Sequence, residues 1–395
     1  MRAPEGLEPI PGGSVTTTPG FRASGVACGL KGSGALDLGI LAADGPVTAA
    51  MVDTSSALPS APVLRNRGID RSRIRAALVN AGSANAATGS PGLDDADAMA
   101  RRAAAGMGLL PEEVAVCSTG TIGDRIDLDR VRPGIEAAVA ALSLEGGADF
   151  GRAICTTDRA PKGGAFRLPL SGGPATIGAA AKGAGMISPG MATMLAYVTV
   201  DAAVDAGDLQ AMTAAAAAAS FNRISVDGQM SPSDTLLVMA GGDGPPLAGA
   251  DRDLLAAALA AVCRWLAIQM VRDGEGAEHA VRVLVAGARD PEEAERVARA
   301  VGDSPLVKSA IFGRDPNWGR VTQAVGAALA GRTGPFREPE IMVDGVPYAS
   351  AEALPVLARE EYDLWVGLGR GAADAELWAC DLTHGYVTVN AEYHT

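Results

Sequence analysis

Aromatic residues make up only 4% of this 395-residue chain, so large rings cannot dominate its core; the 48% of apolar residues must fill it with small and branched side chains. Fifty glycines and runs such as Ala214 to Ala219 point the same way, to closely packed backbones and small-residue helices. Histidine is scarce. His279, His384 and His394 are too scattered for H-E-x-x-H, and the five cysteines (Cys28, Cys117, Cys155, Cys263, Cys380) form no C-x-x-C pair, so neither a disulfide framework nor a metal site is expected and buried free thiols are. Positive charge is in deficit, 33 Lys+Arg against 46 Asp+Glu for a net charge of −13, and no basic run could neutralise a series of phosphates, which excludes nucleic acid as a partner. The opening Met1-Arg2-Ala3-Pro4 lacks a basic segment followed by an apolar stretch, and nowhere do about 18 strongly apolar residues run together. A cytoplasmic protein without a membrane partner is expected.

Nucleotide and serine-hydrolase signatures are missing too. There is no G-x-x-x-x-G-K-[ST], no G-x-G-x-x-G joining a strand to a helix with an acid downstream, and no G-x-S-x-G with a plausible histidine partner. What is there is a series of short apolar strands running into loops of small polar residues. Residues 36 to 41 and 47 to 52 read as strands either side of Asp44-Gly45-Pro46, and residues 76 to 82 as a strand entering a Gly/Ser/Asn loop. A helix is expected over residues 93 to 107, then a strand over 114 to 117 that ends in Ser118-Thr119-Gly120-Thr121. Residues 176 to 201 form strand, glycine loop (Lys182-Gly183-Ala184-Gly185) and strand. A long helix over residues 251 to 272, with Leu254, Leu255, Leu259, Val262, Leu266 and Met270 on one side, stops at Asp273-Gly274 and delivers Glu275. Asp290-Pro291-Glu292-Glu293 starts another helix as N-cap, N1 proline and N3 capping-box acid, closed by Gly302; a second domain is expected from about residue 286.

Ordered segments across almost the whole chain resemble the ornithine acetyltransferase (glutamate N-acetyltransferase) family. The most specific runs Lys182-Gly183-Ala184-Gly185-Met186-Ile187-Ser188-Pro189-Gly190-Met191-Ala192-Thr193-Met194, similar to that family's autocleavage signature. Thr156-Thr157-Asp158, Phe221-Asn222-Arg223, Arg272-Asp273-Gly274-Glu275-Gly276-Ala277, Asp315-Pro316-Asn317-Trp318-Gly319-Arg320 and Cys380-Asp381-Leu382-Thr383 support it. Taken alone, Thr193 reads as an ordinary strand threonine and Thr119-Gly120 as an ordinary turn; the ensemble lifts them. The chain departs from the family's usual residues at Glu278-His279. Asp227, Asp234 and Asp315 read as structural turn acids.

The resemblance implies an α+β fold, a sandwich of sheets and helices like that of N-terminal-nucleophile aminopeptidases. It implies a main domain of residues 1 to 285, cleaved between Ala192 and Thr193 into an α chain (1 to 192) and a β chain from 193, and a smaller C-terminal α/β domain of residues 286 to 395 that completes the site. Thr193 would be the nucleophile, with its own α-amino group as base, pKa ~7.7–8.0; Thr119 and Gly120 would be the oxyanion donors. Thr156, Lys182, Thr193, Glu275, Asn390 and Thr395 would bind substrate, Glu275 also counting as catalytic. The implied reaction moves an acetyl group from N2-acetylornithine to L-glutamate without metal or other cofactor, acetyl-CoA being an alternative donor, in an α2β2 assembly. The alternatives are a specialised-metabolism paralogue acting on other amino acids, an N-terminal-nucleophile aminopeptidase or amidase, and an uncleaved binding protein.

Overall fold

The computed structural model describes residues 3 to 188 and 194 to 392. Ala192, Thr193 and Thr395, three of the expected site positions, lie outside the described residues.

Strict two-residue alternation builds the centre of the molecule. In the strand Thr235–Ala240, Leu236, Val238 and Ala240 face one core while Leu237 and Met239 face another; in Val114–Thr121, Val114 and Val116 face away from Ala115 and Cys117 in the same manner. A strand buried on both faces must lie between two layers. The result is a four-layer α/β/β/α stack. A four-stranded sheet (Phe21–Val26, Leu38–Ala43, Ala76–Ser83, Val114–Thr121) packs on a six-stranded one, in which Glu8–Ile10, Lys162–Leu168, Ala175–Lys182, Leu195–Val200, Thr235–Ala240 and Thr48–Asp53 are neighbours in that order. Helices Gly89–Met107 and Leu128–Ala140 cover the outer face of the first sheet; Ala206–Ala219 and Gly249–Arg272 cover that of the second. Three of the aromatics, Phe21, Phe150 and Tyr197, lie between the sheets, where Phe150 meets Tyr197 edge to face at 5.1 Å.

A second six-stranded sheet closes the chain. Its order is Ile224–Ser225, Ala373–Cys380, Ala280–Ala288, Glu361–Gly367, Glu340–Val343, Val346–Pro347, with helices Pro291–Gly302 and Trp318–Ala328 in its own core. Residue 285, near which the second domain is expected to begin, falls inside the strand Ala280–Ala288, which is hydrogen-bonded on both sides. Ile224–Ser225, from earlier in the chain, also joins this sheet beside Trp378 and Ala379.

Other expectations are refined. The strands on either side of Asp44-Gly45-Pro46 belong to different sheets, so that turn carries the chain between layers. The helix expected from residue 93 takes in Ser90-Pro91-Gly92, because a proline in the first turn gives up no helical hydrogen bond. The helix Gly249–Arg272 is long and apolar enough to cross a membrane, with a mean hydropathy of 1.9, contrary to the reading that no such apolar run exists. Its Leu255, Leu259, Val262, Leu266 and Met270 are buried against the sheet, which makes it a core helix, while Leu254 is 45% exposed rather than part of that stripe. Asp290 caps its helix by accepting the Glu293 N–H at 2.8 Å, but the Glu293 carboxylate leaves the capping box for the Arg289 N–H and the Arg370 guanidinium. All five cysteines are free thiols; Cys117, Cys263 and Cys380 are buried, and Cys28 and Cys155 only partly so.

Candidate active site

The parallel strands Ala76–Ser83 and Val114–Thr121 run side by side to their carboxyl ends, pairing Ala81 with Thr119 and Gly82 with Gly120. Gly120 has φ +135°, and a Cβ there would lie 2.3 Å from the Gly82 carbonyl carbon, so only glycine lets the two strand ends close up. Thr119 is thereby fixed, 3% exposed, at the rim of a cleft.

The opposite wall comes from the six-stranded sheet. Lys182, the last residue of Ala175–Lys182, pairs in register with Leu195 and is 2% exposed. Its ammonium donates to Thr156 Oγ1 at 2.8 Å and to Thr119 Oγ1 at 3.2 Å. A hydroxyl oxygen that accepts from a cation has its own proton free to donate, so Lys182 orients Thr119 as a donor into the cleft. Burial pushes the Lys182 ammonium below its ordinary value, and Asp158 opposes that push. Burial raises the Asp158 carboxyl, but Lys182 and Lys162 outweigh it and bring it down to about 2. Lys162 bridges Asp158 and Asp273, at 2.5 Å to each, and Asp158 also accepts the N–H groups of Gly183 at 2.7 Å and Thr156 at 3.0 Å. This buried charge network ties the Thr156 loop, the glycine loop and the end of the long helix into one frame.

Glu275 follows that helix. Its N–H donates to the Ala184 carbonyl at 2.8 Å, and its carboxylate lies over Gly185, where a Cβ would come within 2.4 Å of it. Asn390, on the helix His384–Glu392, donates to Glu275 Oε2 at 2.7 Å. Tyr386 of the same helix donates to Asp227, whose carboxylate accepts the N–H groups of Met186 at 2.7 Å and Ile187 at 2.9 Å and so pins the far side of the glycine loop.

Thr119, Gly120, Thr156, Lys182, Glu275 and Asn390, drawn from separate segments, thus line one cleft of about 120 Å³. Thr157, Ser231 and Ser233 also line the cleft and Asp158 braces it, none of them singled out for a role from the sequence; Thr157-Asp158 stood in a quoted motif, whereas nothing marked the serines. Asp234, read as a structural turn acid, lies just before the strand Thr235–Ala240. It is wholly buried, its Oδ1 accepts the Met194 N–H at 3.0 Å, and its Oδ2 has no partner among the described residues. Burial raises its carboxyl well above the usual range, against the pull of the Met194 N–H and Lys182. His279 pairs its Nδ1 with Asp381 at 2.9 Å beneath the site.

The arrangement brings together the Thr119 hydroxyl and the Gly120 backbone, a buried cation, and a carboxylate–amide pair in one cleft. A protein from Symbiobacterium thermophilum, the arginine biosynthesis bifunctional protein ArgJ, is 45% identical over 97% of this chain and 99% of its own length. The protein of that name from Synechocystis sp. is 40% identical over 97% of this chain and 98% of its own. A crystal structure of ornithine acetyltransferase complexed with ornithine, from Mycobacterium tuberculosis, aligns with a TM-score of 0.44 and 38% identity over 48% of this chain and 100% of that one. The ArgJ family model matches residues 22 to 395, and the chain belongs to the ArgJ family.

Proposed function

We propose that the cleft performs acyl transfer between amino acids. The chain is an acetyltransferase of arginine biosynthesis, moving an acetyl group from N2-acetylornithine to L-glutamate. The observation that carries the reading is the convergence of Thr119, Gly120, Thr156, Lys182, Glu275 and Asn390 on one cleft in a chain matched end to end by ArgJ proteins. An aminopeptidase or amidase, in which water takes the acyl group, is not favoured by relatives that carry arginine-biosynthesis names.

In this reading the chain cleaves itself between Ala192 and Thr193, and the freed α-amino group takes the proton of the Thr193 hydroxyl. The hydroxyl oxygen attacks the acetyl carbonyl, whose oxyanion receives the Thr119 O–H and the Gly120 N–H. The amide bond breaks, ornithine leaves with the proton, and the acetyl group stays as an ester on Thr193. The glutamate amine then attacks the ester and restores the hydroxyl. Glu275 and Asn390 hold the ammonium end of the substrate, and the Lys182 cation holds its carboxylate beside Thr156. Thr395 completes the binding set, the cleaved halves assemble as α2β2 in the cytoplasm, and no metal or nucleotide takes part; acetyl-CoA is an alternative donor.

Intact-mass spectrometry of the wild type and of Thr193→Ala tests the reading. Two fragments meeting at Ala192–Thr193, an intact mutant, and an added acetyl mass on the wild-type β chain after N2-acetylornithine are expected. An uncleaved wild type, or an acetyl mass retained by Thr193→Ala, would overturn it.

A further inference from the structure

Next to the catalytic cleft lies a second hollow of about 550 Å³, and the two meet at Ile122 and Pro232, which line both. Leu58, Pro59, Ala61 and Leu64 form much of its wall, and no charged side chain lines it among the described residues. Leu58, Leu64 and Ile122 are 83%, 49% and 47% exposed, an unusual cost in apolar surface for a place beside an active site. None of Thr156, Lys182, Glu275 and Asn390 reaches it. The combined site is therefore polar around Thr156, Lys182, Glu275 and Asn390 and apolar beyond Ile122 and Pro232, next to the Thr119 and Gly120 that would hold an acyl carbonyl. The catalytic cleft, at about 120 Å³, is also small beside the ~300–1,000 Å³ usual for ligand sites, a range the hollow falls within.

We infer that the hollow is an acyl-chain subsite, so that the donors include N2-acyl amino acids with unbranched chains of roughly six carbons as well as acetyl. The inference rests on the acyl-transfer reading above. The chemistry is unchanged: the donor amide C–N bond breaks as the Thr193 ester forms, the released amine takes the hydroxyl proton, and the ester breaks as the glutamate amide forms. Only the chain on the carbonyl differs.

The test compares kcat/KM for N2-hexanoylornithine and N2-acetylornithine, with glutamate as acceptor, on the full-length wild type and on Leu58→Asp/Leu64→Asp, both substitutions at exposed positions outside the catalytic cleft. The wild type is expected to use the hexanoyl donor within about tenfold of acetyl, and the variant to lose about tenfold on hexanoyl alone. Acetyl transfer with hexanoyl poorer by more than about 100-fold overturns the subsite and leaves the parent reading standing. So does a variant that shifts the oligomeric state without changing the chain-length preference, which would make the hollow a protein contact. No transfer of either group overturns the parent reading and the subsite together.

Discussion

Thr119 is where a single hydroxyl matters most. Thr119→Val keeps shape and burial but removes the proposed oxyanion donor and one acceptor of Lys182, so kcat is expected to fall by about 10²–10³ while the urea midpoint moves little; steady-state kinetics beside an unfolding curve checks both. Two buried carboxyls should respond to pH in opposite directions. Asp158 is held down at about 2, so its stabilising contribution is present above ~4, the unfolded value, and is lost as pH falls through about 2. Asp234 is held up, so its contribution is full below ~4 and is lost as pH rises toward its folded value. Thermal unfolding across pH should therefore find Asp158→Asn destabilised by about 3–5 kcal/mol at neutral pH, with Lys182 left uncompensated and Lys162 held by Asp273 alone. Asp234→Asn should gain on the wild type as pH climbs above ~4. These assignments were beyond the sequence, where Asp158 was one letter in a motif and Asp234 one acid before a strand; burial and partner decide both, and neither is local information.

At the scale of elements, the glycine loop after Lys182 works because Gly185 leaves room for the Glu275 carboxylate. Gly185→Ala would put a methyl within 2.4 Å of that carboxylate and push it off its contact with Asn390. The expected outcome is a KM raised by about tenfold with cleavage at Ala192–Thr193 retained, read by initial rates and intact mass. The strands at 76 to 83, 114 to 121 and 195 to 200 were legible because alternating or continuous apolar runs end in small polar loops, and the helix at 291 was legible from its cap. The layer each strand joins was not, since strands buried on both faces carry no label for their neighbours. The pairing of Ala280–Ala288 was hidden for the same reason: apart from Arg282 it is an apolar run, and no turn residue interrupts it before Gly287.

For the whole molecule, the candidate site is a meeting of distant segments. Thr119 and Lys182 stand on different sheets, Glu275 follows the helix that backs one of them, and Asn390 comes from the last described helix. Sequence resemblance could name these positions, and the fold shows why they share a cleft: the two sheets stack with Thr119 and Lys182 at one edge, and the charge network of Asp158, Lys162 and Asp273 locks the long helix to that edge. The most direct test of this account follows carbonyl-labelled acetyl from N2-acetylornithine into glutamate by chromatography and mass spectrometry, in the wild type and in Thr193→Ala. The account predicts labelled N-acetylglutamate from the wild type and none from the variant; label that never reaches glutamate, or reaches it equally in both, would contradict it.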